Sequence, residues 1–297
     1  MSGAGSSGGN GMKTVVITGA TSGIGFETAK LLAKRGFRII GIGRSREHCA
    51  EAERKIAASV KNANTKFLTA DLMNQREVNR VADELTEFIN QSCGGELYAL
   101  INNAGCARGY YMTTADGFEH QFALNYLAGF LLTYRLLPLL QKSSGRVIMT
   151  CSESHKGIKV HWNDVMLSER YNPLTAYKQS KLCDILFAKG LNDRYAKSGV
   201  RAYAVDPGLV NTDIGSKGSG SLVSFIWNLR KRGGVSPAVP AQTFEYLCTA
   251  DPAPEGLYYR LSNVRTFSKQ VTKDNASRLF ELSEKLCGIH YMTEDEK

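Results

Sequence analysis

Metal-ligand spacing, paired cysteines and membrane-length apolar runs are all missing from these 297 residues. The seven cysteines, at positions 49, 93, 106, 151, 183, 248 and 287, form no CxxC and no pairing with His at ligand spacing, and their number is odd. That leaves neither a structural zinc site nor a complete disulfide framework, so no metal is expected. Scattered free thiols fit a reducing compartment, and the expectation is cytoplasmic. The best apolar stretch, "YLAGFLLTYRLLPLL", is interrupted by Arg135 and Pro138 and falls short of the ~20 residues a membrane helix needs. It reads as a core helix. Net charge is +9, yet Lys and Arg are spread along the chain with no dense basic run or interleaved aromatics. This is the pattern of a solvated surface, and no nucleic-acid partner is expected. The opening "MSGAGSSGGNG" lacks the apolar segment of a signal peptide and reads as a flexible Gly/Ser tail over residues 1–11 ahead of a single domain at 12–297.

What the chain does have is alternation. Val- and Ile-rich runs, Thr14 to Thr18, Arg38 to Gly43, Lys66 to Leu72, Ala99 to Asn102, Arg146 to Ser152 and Arg201 to Pro207, read as buried strands. Between them lie helical patterns at Phe26 to Arg35, Arg46 to Val60, Gln75 to Gln91, Gly117 to Gln141 and Thr175 to Lys197. Such alternation predicts an α/β fold, a Rossmann-type doubly wound parallel sheet with helices on both faces. In such sheets ligands bind at the carboxyl ends of the strands, so the residues there are the candidate site.

After the first strand comes "TGATSGIG", in which Gly19, Thr21, Ser22, Gly23, Ile24 and Gly25 form the turn into a helix. The glycines permit a tight turn and close backbone approach, and a helix N-terminus attracts phosphate. After the second strand, Gly43 and Arg44 stand where an acid would hold the ribose hydroxyls of NAD. An Arg pairs with a 2′-phosphate that a carboxylate would repel, which leans the cofactor to NADP(H). Asp71 and Leu72, after the third strand, are placed to contact an adenine ring, though Asp71 serves equally well as the N-cap of the next helix. "NNAG" follows the fourth strand; its Asn103, Ala104 and Gly105 can tie strand ends together and leave room for a ribose or nicotinamide.

Taken in order, "TGATSGIG", "NNAG", Asn125 in "ALNYLAG", Ser152 in "VIMTCSES", "YKQSK" and "DPGLVNT" resemble the short-chain dehydrogenase/reductase superfamily over residues 13 to 285. "TTADGFEHQFALNYLAGFLLTYRLLPLL" and "YKQSKLCDILFAKGL" look like retinol dehydrogenases and their relatives, and the span between Ser152 and Tyr177 is similar to an insertion in that subgroup and in protochlorophyllide reductases. One departure is Cys151, standing where the family usually has a first Ser beside the functional Ser152.

The resemblance implies a hydride transfer between nicotinamide and an alcohol or carbonyl carbon of the CH–OH class, with Tyr177 moving the hydroxyl proton. Lys181, one helical turn on, would favour the phenolate and hold the ribose hydroxyls; Ser152 would orient the substrate oxygen, and Asn125 would hold a water for proton relay. Pro207 and Gly208 would shape the loop near the nicotinamide, with Val210 and Thr212 on its carboxamide. Residues 209–240 would close over the substrate. Leu222, Val223, Phe225, Ile226 and Trp227 suit a small lipophilic alcohol or carbonyl, and together with Arg230 to Arg232 they make 222–232 a candidate peripheral membrane contact. Relatives often pair through the Gly117 to Gln141 and Thr175 to Lys197 helices, which implies a candidate homodimer. Two rival readings stay open: a non-catalytic dinucleotide-binding regulator, and a double-bond reductase of the protochlorophyllide-reductase type.

Overall fold

The computed structural model describes residues 11–211 and 234–292. The expected tail at residues 1–10, the apolar and basic stretch at 222–232, and Thr212 lie outside the described residues.

Five runs of apolar, largely β-branched residues become the first strands of a parallel sheet: β1 (Thr14–Thr18), β2 (Arg38–Gly43), β3 (Thr65–Thr69), β4 (Ala99–Asn102) and β5 (Arg146–Thr150). β6 (Arg201–Val205), β7 (Tyr258–Arg260) and the two-residue β8 (Asn263–Val264) complete it. Their order is β3-β2-β1-β4-β5-β6-β7-β8, parallel throughout except for the antiparallel β7–β8 pair. β1 carries no exposed residue, as expected of a strand covered by helices on both faces.

The helices are α1 (Gly23–Lys34), α2 (Arg46–Ser59), α3 (Gln75–Ser92), α4 (His120–Lys142), α5 (Pro173–Tyr195), α6 (Ala238–Thr249) and α7 (Lys273–Cys287). On one face of the sheet α1, α2 and α6 pack through Ala29, Leu32, Ile56, Phe244 and Leu247. On the other, α3, α4, α5 and α7 share a larger core. α4 is long and apolar enough to span a membrane by composition, but 78% of its most apolar window is buried inside the fold. It is a core helix, as its sequence implied.

α5 is enclosed rather than amphipathic. Phe187 lies against Phe130 of α4 and Phe280 of α7, with ring centres 5.2 and 5.4 Å apart. Gly190 is the place where α7 comes closest: a Cβ there would stand 2.4 Å from the Phe280 ring. Tyr291 closes the cluster, its hydroxyl donating to the Phe130 carbonyl at 2.7 Å. The helix is thereby fixed along its length, and its N-terminal half is carried to the carboxyl edge of the sheet.

Two expectations shift in detail. The third, fifth and sixth strands end at Thr69, Thr150 and Val205, two or three residues before the sequence pattern runs out. The residues beyond turn away from the ladder and become the site. Asp71 does not cap α3: Asn74 does, its side chain accepting from Arg76 and Glu77 amides, while Asp71 accepts only from Met73.

Candidate active site

Strand order reverses at β1, which is flanked by β2 and β4, and this is where an open sheet leaves a crevice. Both turns that line it are tied down. The Thr18 hydroxyl accepts from the Asn103 and Ala104 amides, each at 2.9 Å, and the Asn103 side chain donates to the Thr18 carbonyl at 3.0 Å. Gly25 completes the junction: a Cβ there would lie 2.4 Å from the Gly19 carbonyl oxygen and 2.6 Å from Asn103 Nδ2. Gly19 and Gly23 hold positive φ, 65° and 55°, which glycine alone adopts without strain.

At the start of α1 the N-cap Ser22 makes no capping hydrogen bond and the first turn holds no acid. Its free amides and positive end suit a phosphate. After β2, a side chain at Gly43 would strike Thr21 and Cys49, at 2.4 and 2.8 Å from the added Cβ. A side chain there would need Thr21 and Cys49 to give way, and the next residue, Arg44, is exposed. Ser45 caps α2 by accepting from the His48 amide. Leu72 is buried, while Asp71 is exposed. These residues fit a dinucleotide.

Across the crevice, α5 presents its Tyr–Lys pair. The Ser152 side chain lies near enough to the Tyr177 hydroxyl to lower its pKa, and the Lys181 ammonium stands 5.8 Å from the centre of the Tyr177 ring. Burial raises the Tyr177 pKa above the usual tyrosine value; Lys181 and Ser152 pull it back without overcoming burial. Tyr177 therefore keeps its proton at neutral pH. Lys181 is buried and donates to the Thr150 carbonyl at 2.8 Å and to Asp184 Oδ2 at 2.9 Å. Burial works against its charge, but Asp184 and Tyr177 outweigh it and raise its pKa.

Asn125 sits in a π-helical turn, Ala123–Leu127, inside α4, a local widening frequent at functional sites. Its side chain accepts from the Cys106 amide at 2.7 Å and donates to the Cys106 carbonyl and to Ser180 Oγ at 3.0 and 2.9 Å. Asn125, expected to hold a relay water, thus also braces the β4 loop against α5.

Ser152 is anchored from behind by His155, a residue the sequence reading passed over. Buried His155 donates from Nδ1 to the Ser152 carbonyl at 2.6 Å, and its Nε2 accepts from the Ser268 amide at 3.1 Å. That pair of bonds requires the neutral ring, and burial lowers its pKa from 6.5. Gly208, at φ 72°, follows Pro207 in the loop after β6 and donates to Asp206 Oδ1. Val210 bridges to Val235. Cys151, at the end of β5, is buried and donates to the Lys181 carbonyl at 3.1 Å, a packing position.

The structure brings Ser152, Tyr177, Lys181 and Asn125 into one cluster, opposite the Gly19–Gly25 turn and the Asn103–Gly105 turn. Exposed apolar residues stand near the same edge: Tyr110 and Tyr111 after β4, Leu174 in the first turn of α5, and Leu209 and Val235 after β6. A glycine-lined crevice at the switch point of a doubly wound sheet, with a Tyr–Lys pair across from it, is the frame of a nucleotide-dependent oxidoreductase.

The comparisons give the same class a family. The short-chain dehydrogenase family model matches residues 13–220, and this chain belongs to that family of nicotinamide-dependent oxidoreductases. It is 35% identical over 283 residues to retinol dehydrogenase 12 of Mus musculus, covering 94% of this chain and 87% of that protein. It is 37% identical over 209 residues to polyprenol dehydrogenase of Homo sapiens, covering 68% of this chain and 62% of that one. Among solved structures, an uncharacterised protein from Mycobacterium paratuberculosis superposes with a TM-score of 0.74 at 28% identity, covering 95% of this chain and 96% of that one.

Proposed function

We propose that this protein is an NADP(H)-dependent oxidoreductase that exchanges a hydride with a hydrophobic alcohol, aldehyde or ketone, with Tyr177 as general acid and base. The observation that carries the reading is the buried Tyr177, set beside Ser152 and the Lys181 ammonium at the carboxyl edge of the sheet. A bound nicotinamide supplies or accepts the hydride. Tyr177 gives its proton to the nascent alkoxide in reduction and takes it back in oxidation. Ser152 orients the substrate oxygen from the other side, and Lys181 stabilises the charge left on Tyr177.

The Gly19–Gly25 turn, with Thr21, Ser22 and Ile24, holds the pyrophosphate on the uncapped end of α1. Arg44 pairs with the 2′-phosphate, Asp71 and Leu72 border the adenine, and Asn103 to Gly105 with Lys181 hold the nicotinamide ribose. Pro207, Gly208, Val210 and Thr212 border the carboxamide. The exposed apolar rim supports a lipophilic substrate, and the retinol and polyprenol dehydrogenase relatives support an alcohol of that kind. A peripheral membrane contact from the cytoplasmic side and the pairing of two copies as a dimer belong to the same reading.

The test is oxidation of NADPH and NADH against retinal, long-chain isoprenoid aldehydes, steroid ketones and quinones, with Tyr177→Phe beside the unchanged protein. Turnover with NADPH that vanishes in the variant supports the reading. Tight NADPH binding without turnover on any carbonyl overturns it, and cosedimentation with anionic liposomes tests the membrane contact separately.

A further inference from the structure

Lys181 has an unusual neighbour for a residue in this site. Asp184 lies one turn along α5, wholly enclosed, and its Oδ2 accepts from Lys181 Nζ at 2.9 Å. Among the described residues its other oxygen, Oδ1, has no hydrogen-bond donor. An enclosed carboxylate with half its valence unmet is costly, and nothing in helix packing calls for it. An ammonium carries three donors. Here one goes to the Thr150 carbonyl and one to Asp184, leaving the third for the ribose and phenol side.

We infer that Asp184 is the positioning residue of Lys181: its carboxylate aims the ammonium and sets the pH at which the Tyr177–Lys181 pair loses its first proton. The inference rests on the assignment of Tyr177 and Lys181 made above. The other titratable groups that face Asp184 are Tyr177 and Cys183 on α5, Cys151 at the end of β5 and Tyr126 on α4. All four are neutral when protonated and none supplies a cation, so Lys181 is the one positive group of this set. Burial pushes the Asp184 carboxyl up to about 7 against the pull of Lys181, so the carboxylate is ionised on the alkaline side, where the pair begins to deprotonate.

The sign follows from charge. A nearby anion raises the pKa of both partners. Replacing it by a neutral group lowers the first proton loss of the pair, whether that proton leaves Tyr177 or Lys181. Either loss makes the ribose side of the cradle one charge more negative and weakens binding of an anionic nucleotide.

The experiment follows the dissociation constant of NADPH from pH ~7 to ~12 by nucleotide fluorescence, in the unchanged protein, Asp184→Asn and Lys181→Met, with far-UV circular dichroism at each pH confirming the fold. The expected result is an alkaline loss of affinity whose midpoint falls by about one pH unit in Asp184→Asn and which moves upward or disappears in Lys181→Met, where the phenol has lost its cation. A midpoint unmoved in Asp184→Asn, with the limb displaced or absent in Lys181→Met, overturns this inference alone. A limb that stays in place in Lys181→Met removes the assignment of Lys181, and this inference with it. A merely structural Asp184 would lower the melting temperature of the variant and leave the midpoint in place. Should Asp184→Asn not accumulate as folded protein, Asp184→Ser removes the same charge with a smaller neutral group and is read in the same way.

Discussion

Thr18 and Asn103 bind the ends of β1 and β4 to each other in both directions. The Thr18 hydroxyl accepts from the Asn103 amide at 2.9 Å, and the Asn103 side chain returns a bond to the Thr18 carbonyl at 3.0 Å. The same hydroxyl accepts from Ala104, so one buried oxygen serves two backbone amides. Thr18→Val keeps the shape and strands both. It is expected to lose about 2 kcal/mol of stability in chemical denaturation and to bind NADPH ~10-fold more weakly.

Gly25 has no room for even a methyl group, with the Gly19 carbonyl oxygen 2.4 Å from the position of an added Cβ. Gly25→Ala is expected to cost about 1–3 kcal/mol as the turn shifts. NADPH affinity measured by fluorescence should fall by roughly tenfold or more, because the displaced atoms border the cradle.

Tyr177→Phe removes the proton carrier and leaves the ring. Turnover should drop by ~10² or more with NADPH affinity nearly unchanged, since the loss falls on the transition state. Retained turnover would assign the proton to another group.

Arg44→Ala tests cofactor choice. Arg44 is exposed just after β2, and the proposed reading pairs it with a 2′-phosphate. The variant should bind NADPH about tenfold more weakly or worse while NADH is little affected. Equal losses for both would remove Arg44 from the 2′-phosphate.

His155 gives stability a pH dependence. Its folded pKa lies below the unfolded 6.5 because burial opposes the charge, so the unfolded chain binds the extra proton. The contribution is complete above about 6.5 and shrinks as pH falls from there toward the folded value. The melting temperature should decline between pH ~6.5 and ~5, and His155→Gln should flatten that part of the decline.

The inner strands were legible because a parallel strand covered on both faces must be apolar throughout. β1, β2 and β4 begin and end where their Val/Ile runs do. The far edge of the sheet was not. β7 has three residues, and the reversal into β8 uses Leu261 and Ser262, both at positive φ, with no glycine or asparagine to announce it. α6 escaped notice as well, its Pro240 standing in the first turn of the helix. In the site, the Tyr–Lys spacing and the strand-end glycines carried their meaning in sequence. Asp184 and His155 did not: an acid three residues after a lysine resembles a surface ion pair, and only the enclosure of α5 makes it otherwise. The bracing of Cys106 by Asn125 was not legible either, because Cys106 belongs to a loop that no periodicity brings near.

The clamp of Phe130, Phe187, Phe280 and Tyr291 has a bearing on the order of assembly. The bond from Tyr291 to Phe130 joins residues 161 positions apart, and Tyr126 reaches Ser283 across 157. Contacts this distant in sequence form late, after much chain entropy has been lost. While the protein is being made, the sheet and its phosphate turn are complete before the helix bearing Tyr177 has its outer wall. The site is thus the last part of the molecule to become rigid, and a nascent chain halted before α7 would hold a cradle for the cofactor with no firmly placed tyrosine opposite it.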